Sequence, residues 1–216
     1  MDKSPGVRLK GRSLLIRRHC GFSLVEVMMS VVLLAIGTAI ALPSFRDQVE
    51  KRQVTNGAEQ IASFINSAQG AAMKTNREVW VSWSRAADND WCIGANVDTT
   101  CECDQANSCV VNGQEYVIDN GSASDRDLFY AFSGGDGDAY GLDPIRGLVI
   151  DSDRTVIEPG DYPEFKLRSN SDEFRLNLRV NSTGRVTLCS DDAAHAVPGY
   201  PVCQAIVDVQ IVEAGS

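Results

Sequence analysis

The sequence predicts an α+β protein, a long N-terminal helix packed on antiparallel β-sheets. Three observations predict it. The 21 residues after Gly21, to Leu42, carry Glu26 as their only charge. From Phe45 to about Thr75, apolar residues recur three and four apart, the spacing of a helix face. From Glu78 onward the period falls to two, in short runs separated by turn residues, which is the pattern of strands.

The first 21 residues are basic: Lys3, Arg8, Lys10, Arg12, Arg17 and Arg18 face one acid, Asp2. The apolar run 22–42 follows. At about 1.5 Å per helical residue it spans roughly 30 Å, the thickness of a bilayer's hydrocarbon core. A basic flank before such a span predicts a cytoplasmic N-terminus and a chain that crosses the membrane. An ordinary secretory signal ends its apolar stretch at a small-residue cleavage site. Here the small residue, Gly21, stands before the apolar helix, so cleavage there leaves the helix on the mature protein. Glu26 lies inside the span, where a carboxylate costs about 3 kcal/mol or more unless it finds a partner.

Pro43 follows the span; proline removes a helical hydrogen bond and bends the helix. The helical pattern then resumes. Phe45, Val49, Ala58, Ile61, Ile65, Ala68 and Ala72 form one face, expected to lie against the rest of the chain. Gly57 and Gly70 weaken this segment, so packing must hold it. The expected divisions are a leader 1–21, an apolar helix 22–42, an amphipathic continuation 43–76 and a β-rich head 77–216.

In the head, Val79, Val81 and Trp83 face one way and Trp80, Ser82 and Ser84 the other. Trp91-Cys92-Ile93-Gly94 is the expected partner strand. Residues 94–114 read as a loop held by its cysteines. Tyr116-Val117-Ile118, 128–132, 147–150, Thr155-Val156-Ile157 and Phe165-Lys166-Leu167 are short strand candidates. Gly134-Gly135-Asp136-Gly137-Asp138 is a turn. The clearest hairpin joins Phe174–Val180 to Arg185–Cys189 through Asn181-Ser182-Thr183-Gly184. A last strand is expected over 205–212. Short antiparallel strands in this number predict two packed layers.

The chain carries a net charge of −9. The leader holds six Lys/Arg and one Asp, so its removal takes the charge to −14. That sign repels phosphate backbones and argues against nucleic acid as a partner. Of seven cysteines, Cys20 leaves with the leader. Cys92, Cys101, Cys103, Cys109, Cys189 and Cys203 remain, an even number in a chain delivered outside the cytoplasm, which reads as disulfides. Cys189 with Cys203 is the favoured pair; the other four close the segment 92–109. The alternative is a four-thiolate zinc site, without the paired Cys-x-x-Cys knuckles such sites use. Asp136, Asp138 and Asp143 offer oxygens to calcium, but no complete EF-hand loop surrounds them, and the expectation is a solvated turn with no metal. His195 stands near Asp191 and Asp192 without a nucleophile motif. No Walker loop, dinucleotide fingerprint or His-Glu-x-x-His helix occurs. Neither an enzyme nor a cofactor is expected.

Gly21-Phe22-Ser23-Leu24-Val25-Glu26 closely resembles the leader junction of type IV pilins and pseudopilins. Ser182-Thr183-Gly184-Arg185-Val186-Thr187-Leu188-Cys189, with the Trp and Trp-Cys-Ile-Gly strands, is similar to the GspH/FimT/FimU family of minor pilins and pseudopilins. The resemblance implies cleavage between Gly21 and Phe22 by a prepilin peptidase, then N-methylation of Phe22. It also implies that Glu26 pairs with the amino group of Phe22 on a neighbouring subunit. The function implied is a minor type IV pilin that starts or caps the filament, membrane-held before assembly, with the major pilin and other minor pilins as partners. The alternatives are a minor pseudopilin of type II secretion and a DNA-uptake receptor. Receptors of this kind use Gly-Arg-x-Arg; here Gly184 and Arg185 match, and Thr187 stands where the second arginine is expected.

Overall fold

The computed structural model describes residues 23–85, 91–119, 129–133 and 138–204. The chain divides into two compact units between Ser44 and Phe45. One helix, α1 (Leu24–Thr75), contributes to both. It stops where sequence signals agree. Lys74 lies in its last turn, and Asn76 takes a left-handed φ of 52°. Arg77 N–H donates to Ala72 O (3.3 Å), so the end is a Schellman cap that occupies an otherwise orphaned carbonyl.

In the second unit, Val54, Ala58, Ile61, Ile65, Ala68 and Ala72 are at most 1% exposed. Their spacing of four, three, four, three, four makes one continuous stripe. The expected face was drawn too long at its start. Phe45 is 68% exposed and Val49 37%. The buried stripe begins at Val54, a position the expectation omitted, as it omitted Phe64.

The strands are β1 (Val79–Arg85), β2 (Trp91–Val97), β3 (Val110–Val111), β4 (Gln114–Glu115), β5 (Val117–Asp119), β6 (Phe129–Ser133), β7 (Ala139–Leu142), β8 (Val149–Ile150), β9 (Glu164–Arg168), β10 (Arg175–Val180) and β11 (Val186–Ser190). They form a five-stranded sheet in the order β5-β2-β1-β7-β8 and a four-stranded sheet in the order β11-β10-β9-β6, both antiparallel. The fold is therefore α+β, a helix on antiparallel sheets. Trp83 of β1 joins the two sheets: its ring centroid lies 5.7 Å from Phe132 on β6, 5.5 Å from Phe165 on β9 and 5.9 Å from Tyr140 on β7.

Several expected elements need correction. The segment 94–114 is not all loop. Strand β2 runs on to Val97, and β3 and β4 form a hairpin closed by Asn112-Gly113, both at positive φ (54° and 77°). Asn-Gly is the strongest two-residue hairpin signal, and here it was present in the sequence. Strand β7 was not anticipated. It is short, carries Gly141 and follows the glycine-rich turn, yet it pairs with β1 and β8. Residues 155–157 form no strand, only a bridge between Val156 and Ile150. The expected strand 205–212 and most of the turn 134–138 lie outside the described residues.

Strands β9 and β10 alternate as their sequences require. Phe165, Leu167, Leu176, Leu178 and Val180 point inward at 1% exposure or less. The other face is polar and internally neutralised. Glu164 meets Arg179 (2.6 Å) and Lys166 (3.5 Å), and Arg175 meets Asp172 (2.7 Å) and Asp191 (3.6 Å).

Candidate functional site

Gly21 and Phe22 lie outside the described residues. Glu26 is described and sits exposed in the first turn of α1. Its backbone carbonyl accepts from Ser30 Oγ (2.7 Å). Around it the first unit is apolar on every side of the helix. Leu24, Val25, Val27, Met28, Met29, Val31, Val32, Leu33, Leu34 and Ile36 are all at least 50% exposed. A helix apolar all round is built to be covered by lipid or by other helices. Among the described residues no helix is long and apolar enough to cross a membrane.

The cysteine-rich segment covers the outer face of the five-stranded sheet. Disulfides join Cys92 to Cys103 and Cys101 to Cys109, with Cα separations of 5.7 and 5.2 Å. Cys92, Cys103 and Cys109 are buried with Val117 packed on them, a small second core. With all four thiols bonded pairwise, the zinc alternative fails. Gly94 makes the arrangement possible: a Cβ there would lie 2.3 Å from Cys109 Sγ. Cys101 N–H donates to Ser82 Oγ (3.2 Å), fixing the segment to β1. The third disulfide, Cys189 to Cys203 (Cα separation 4.9 Å), ties β11 to the bridge at Val202.

The β10–β11 turn carries the Gly184-Arg185 pair. Asn181 organises it: its Oδ1 accepts from Thr183 N (3.1 Å), Thr183 Oγ1 (2.8 Å) and Arg185 N (2.9 Å). Gly184 has φ 71° and no room for a side chain, since a Cβ would lie 2.3 Å from Gln69 Nε2. Gln69 Nε2 donates to Gly147 O (3.1 Å) and Thr183 O (3.3 Å), pinning two turns of the head to the helix. The glycine therefore has a packing reason independent of any ligand. Arg185 is exposed at the tip. Asp191 pairs with Arg175 (3.6 Å) and Asp192 with His195 Nδ1 (2.9 Å). The backbone N–H of His195 and its ring hold the Asp192 carboxyl below the usual carboxylate range.

Asp143 also has a structural occupation. Its Oδ1 accepts from Ile145 N (2.7 Å) and Arg146 N (2.9 Å). Those bonds, led by the Arg146 N–H, lower its pKa. Asp136 lies outside the described residues. Among the described residues no cluster of three or more His, Cys, Asp or Glu could hold a metal ion.

An exposed apolar stem with one acid in its first turn, and a head of helix and antiparallel sheets, define a type IV pilin-like protein. The comparisons specify which. Residues 16–42 match the prokaryotic N-terminal methylation motif, and residues 57–198 match the family of the type II transport protein GspH. The chain belongs to the GspH family of minor pilins and pseudopilins, which are structural subunits. Two fimbrial proteins of Pseudomonas aeruginosa are each 30% identical over 79 residues, covering 37% of this chain. The chain spans about half the length of these curated relatives (50%). The crystal structure of the type IV minor pilin FimU of Pseudomonas aeruginosa (strain PAO1) aligns with 64% of this chain and 90% of its own, at 14% identity and a TM-score of 0.42. The methylation motif implies processing by a prepilin peptidase and pilin or pseudopilin subunits as partners.

Sequence reasoning missed Gln69, Gly94 and Tyr140. A lone glutamine on a helix carries no pattern. Gly94 did carry one, since glycine inside a strand marks close approach.

Proposed function

We propose that the chain is a minor type IV pilin, a low-abundance subunit that initiates or caps pilus assembly. In this reading residues 1–21 are the leader, and 22–42 hold the chain in the inner membrane as a single span before assembly. Residues 43–76 continue the helix, and 77–216 are the periplasmic head. The observation that carries it is Glu26, an acid standing exposed among side chains that all call for apolar cover. After cleavage at Gly21, the new ammonium of Phe22 on a neighbouring subunit is a charge of the right sign at the right end of the helix. Breaking a buried ion pair costs about 3–5 kcal/mol. At about 1.4 kcal/mol per tenfold, Glu26→Val lowers incorporation into filaments by roughly a hundredfold or more, with leader cleavage unaffected. The assay is quantitative recovery of the chain in sheared filaments. Normal incorporation of Glu26→Val sinks the reading.

A second reading is a minor pseudopilin of type II secretion, favoured by the description of the family that matches residues 57–198. Deletion separates the two: loss of twitching with intact secretion supports the pilus, and the reverse supports the pseudopilus.

A further inference from the structure

Within the second unit, α1 meets the head in two different ways. From Val54 onward the contact is the buried apolar stripe. The same face continues toward the start of the unit, at Lys51, three residues before Val54, and at Asp47, four before that. There its side chains are polar and half-buried, and Glu50 stands beside them. Glu50 and Lys51 both meet one loop of the head, residues 169–174. Ser171 Oγ donates to Glu50 Oε2, and the Lys51 ammonium stands 4.8 Å from the centroid of the Phe174 ring.

That loop is fixed without help from the helix. Ser169 is 1% exposed; its N–H donates to Phe174 O (2.8 Å) and its Oγ accepts from Phe174 N (3.2 Å). Arg175 clasps Asp172 with two bonds, 2.9 and 2.7 Å. Polar contacts between partly exposed groups release at little cost, because water replaces each partner. A buried apolar stripe does not release in that way.

The helix supplies an independent observation. Directly after the polar contact comes Val54-Thr55-Asn56-Gly57, four consecutive residues that rank low as helix formers. Strong formers bound the run on both sides, Glu50-Lys51-Arg52-Gln53 before it and Ala58-Glu59-Gln60 after it. Asn56 is exposed, so packing does not offset its weakness.

We propose that residues 54–57 are a hinge in α1, held shut by the contacts of Glu50 with Ser171 and of Lys51 with Phe174. Shut, the helix is continuous through the hinge. Open, the turns before Val54 leave the loop while the stripe from Ala58 onward stays packed. The hinge lies wholly in the second unit and stands without the filament role of Glu26.

The test uses the full-length protein in detergent micelles, with nitroxides on unnatural ketone side chains at Gln48 and Ser67, so that no cysteine is touched. Both positions are exposed. At about 1.5 Å per residue an unbroken helix sets them roughly 28 Å apart along its axis, within the range of pulsed electron paramagnetic resonance. Glu50→Ala/Lys51→Met removes both contacts and installs two good helix formers. The expected result is a shorter-distance population in this variant, at least threefold above any in the wild type. Asn56→Ala added to it strengthens the hinge turn and should cut that population by at least half. A double variant that keeps the wild-type distance distribution overturns the proposal. So does a shorter population that Asn56→Ala leaves unchanged.

Discussion

Gly184→Ala should reveal how the head is fastened to its helix. The new Cβ meets two obstacles. At φ 71° an L side chain costs about 1 kcal/mol. Its position, 2.3 Å from Gln69 Nε2 and 3.1 Å from Gly147 O, also forces Gln69 away from the two carbonyls it serves. Two such hydrogen bonds are worth about 1–2 kcal/mol together. Gly184→Ala therefore costs about 2–3 kcal/mol, and Gln69→Ala alone about 1–2. The double variant should cost about the same as Gly184→Ala, because the bonds are already lost and the clash is relieved. Urea unfolding of the full chain in detergent, for the wild type and three variants, gives the coupling. Costs that add within about 0.3 kcal/mol would refute the reasoning, because residues without shared partners behave in that way.

Two further predictions rest on the core. Tyr140 is fully buried with its hydroxyl unpartnered, and burial pushes its pKa far above the ordinary 10.0. The folded chain keeps that proton while the unfolded chain loses it, so this contribution is intact below pH 10 and declines above it, by about 1.4 kcal/mol per pH unit. Tyr140→Phe should gain about 1 kcal/mol at pH 7 and remove that one-proton slope between pH 10 and 11, measured as the difference in unfolding free energy from the wild type. Gly94→Ala places a methyl against Cys109 Sγ, so it should cost about 1–3 kcal/mol. In peptide maps it should show a free-thiol fraction at Cys101 and Cys109; a fully oxidised, equally stable variant counts against the buried sulfur core.

How much of this was legible depended on whether the signal was local. The helix end near Thr75 was readable because Lys74 and Asn76 carry the stop in their own residue types. The β10–β11 hairpin was readable because strict alternation and an Asn-x-x-Gly turn specify it without help from distant residues. Strand β7 was not readable: Ala139-Tyr140-Gly141-Leu142 has no alternation that favours a strand, and it is held by β1 on one side and β8 on the other. Phe45 and Val49 show the opposite failure. Their spacing fits the buried stripe, but what covers a helix face is decided by where the head begins, and the stripe starts only at Val54. Of the candidate site, the acid at position 26 was visible as a charge in an apolar run. The role of Gln69 was not, because it depends on a carbonyl brought from 78 residues away.

The claim at the centre is that the stem stays on the chain and enters a filament by its own processed end. The direct measurement is the N-terminal residue and intact mass of the native chain recovered from sheared filaments. The account predicts a chain that begins at Phe22 with one methyl group on its amino nitrogen and retains every residue to Leu42. A chain that begins at Met1, or one that has lost the apolar stem, would contradict it.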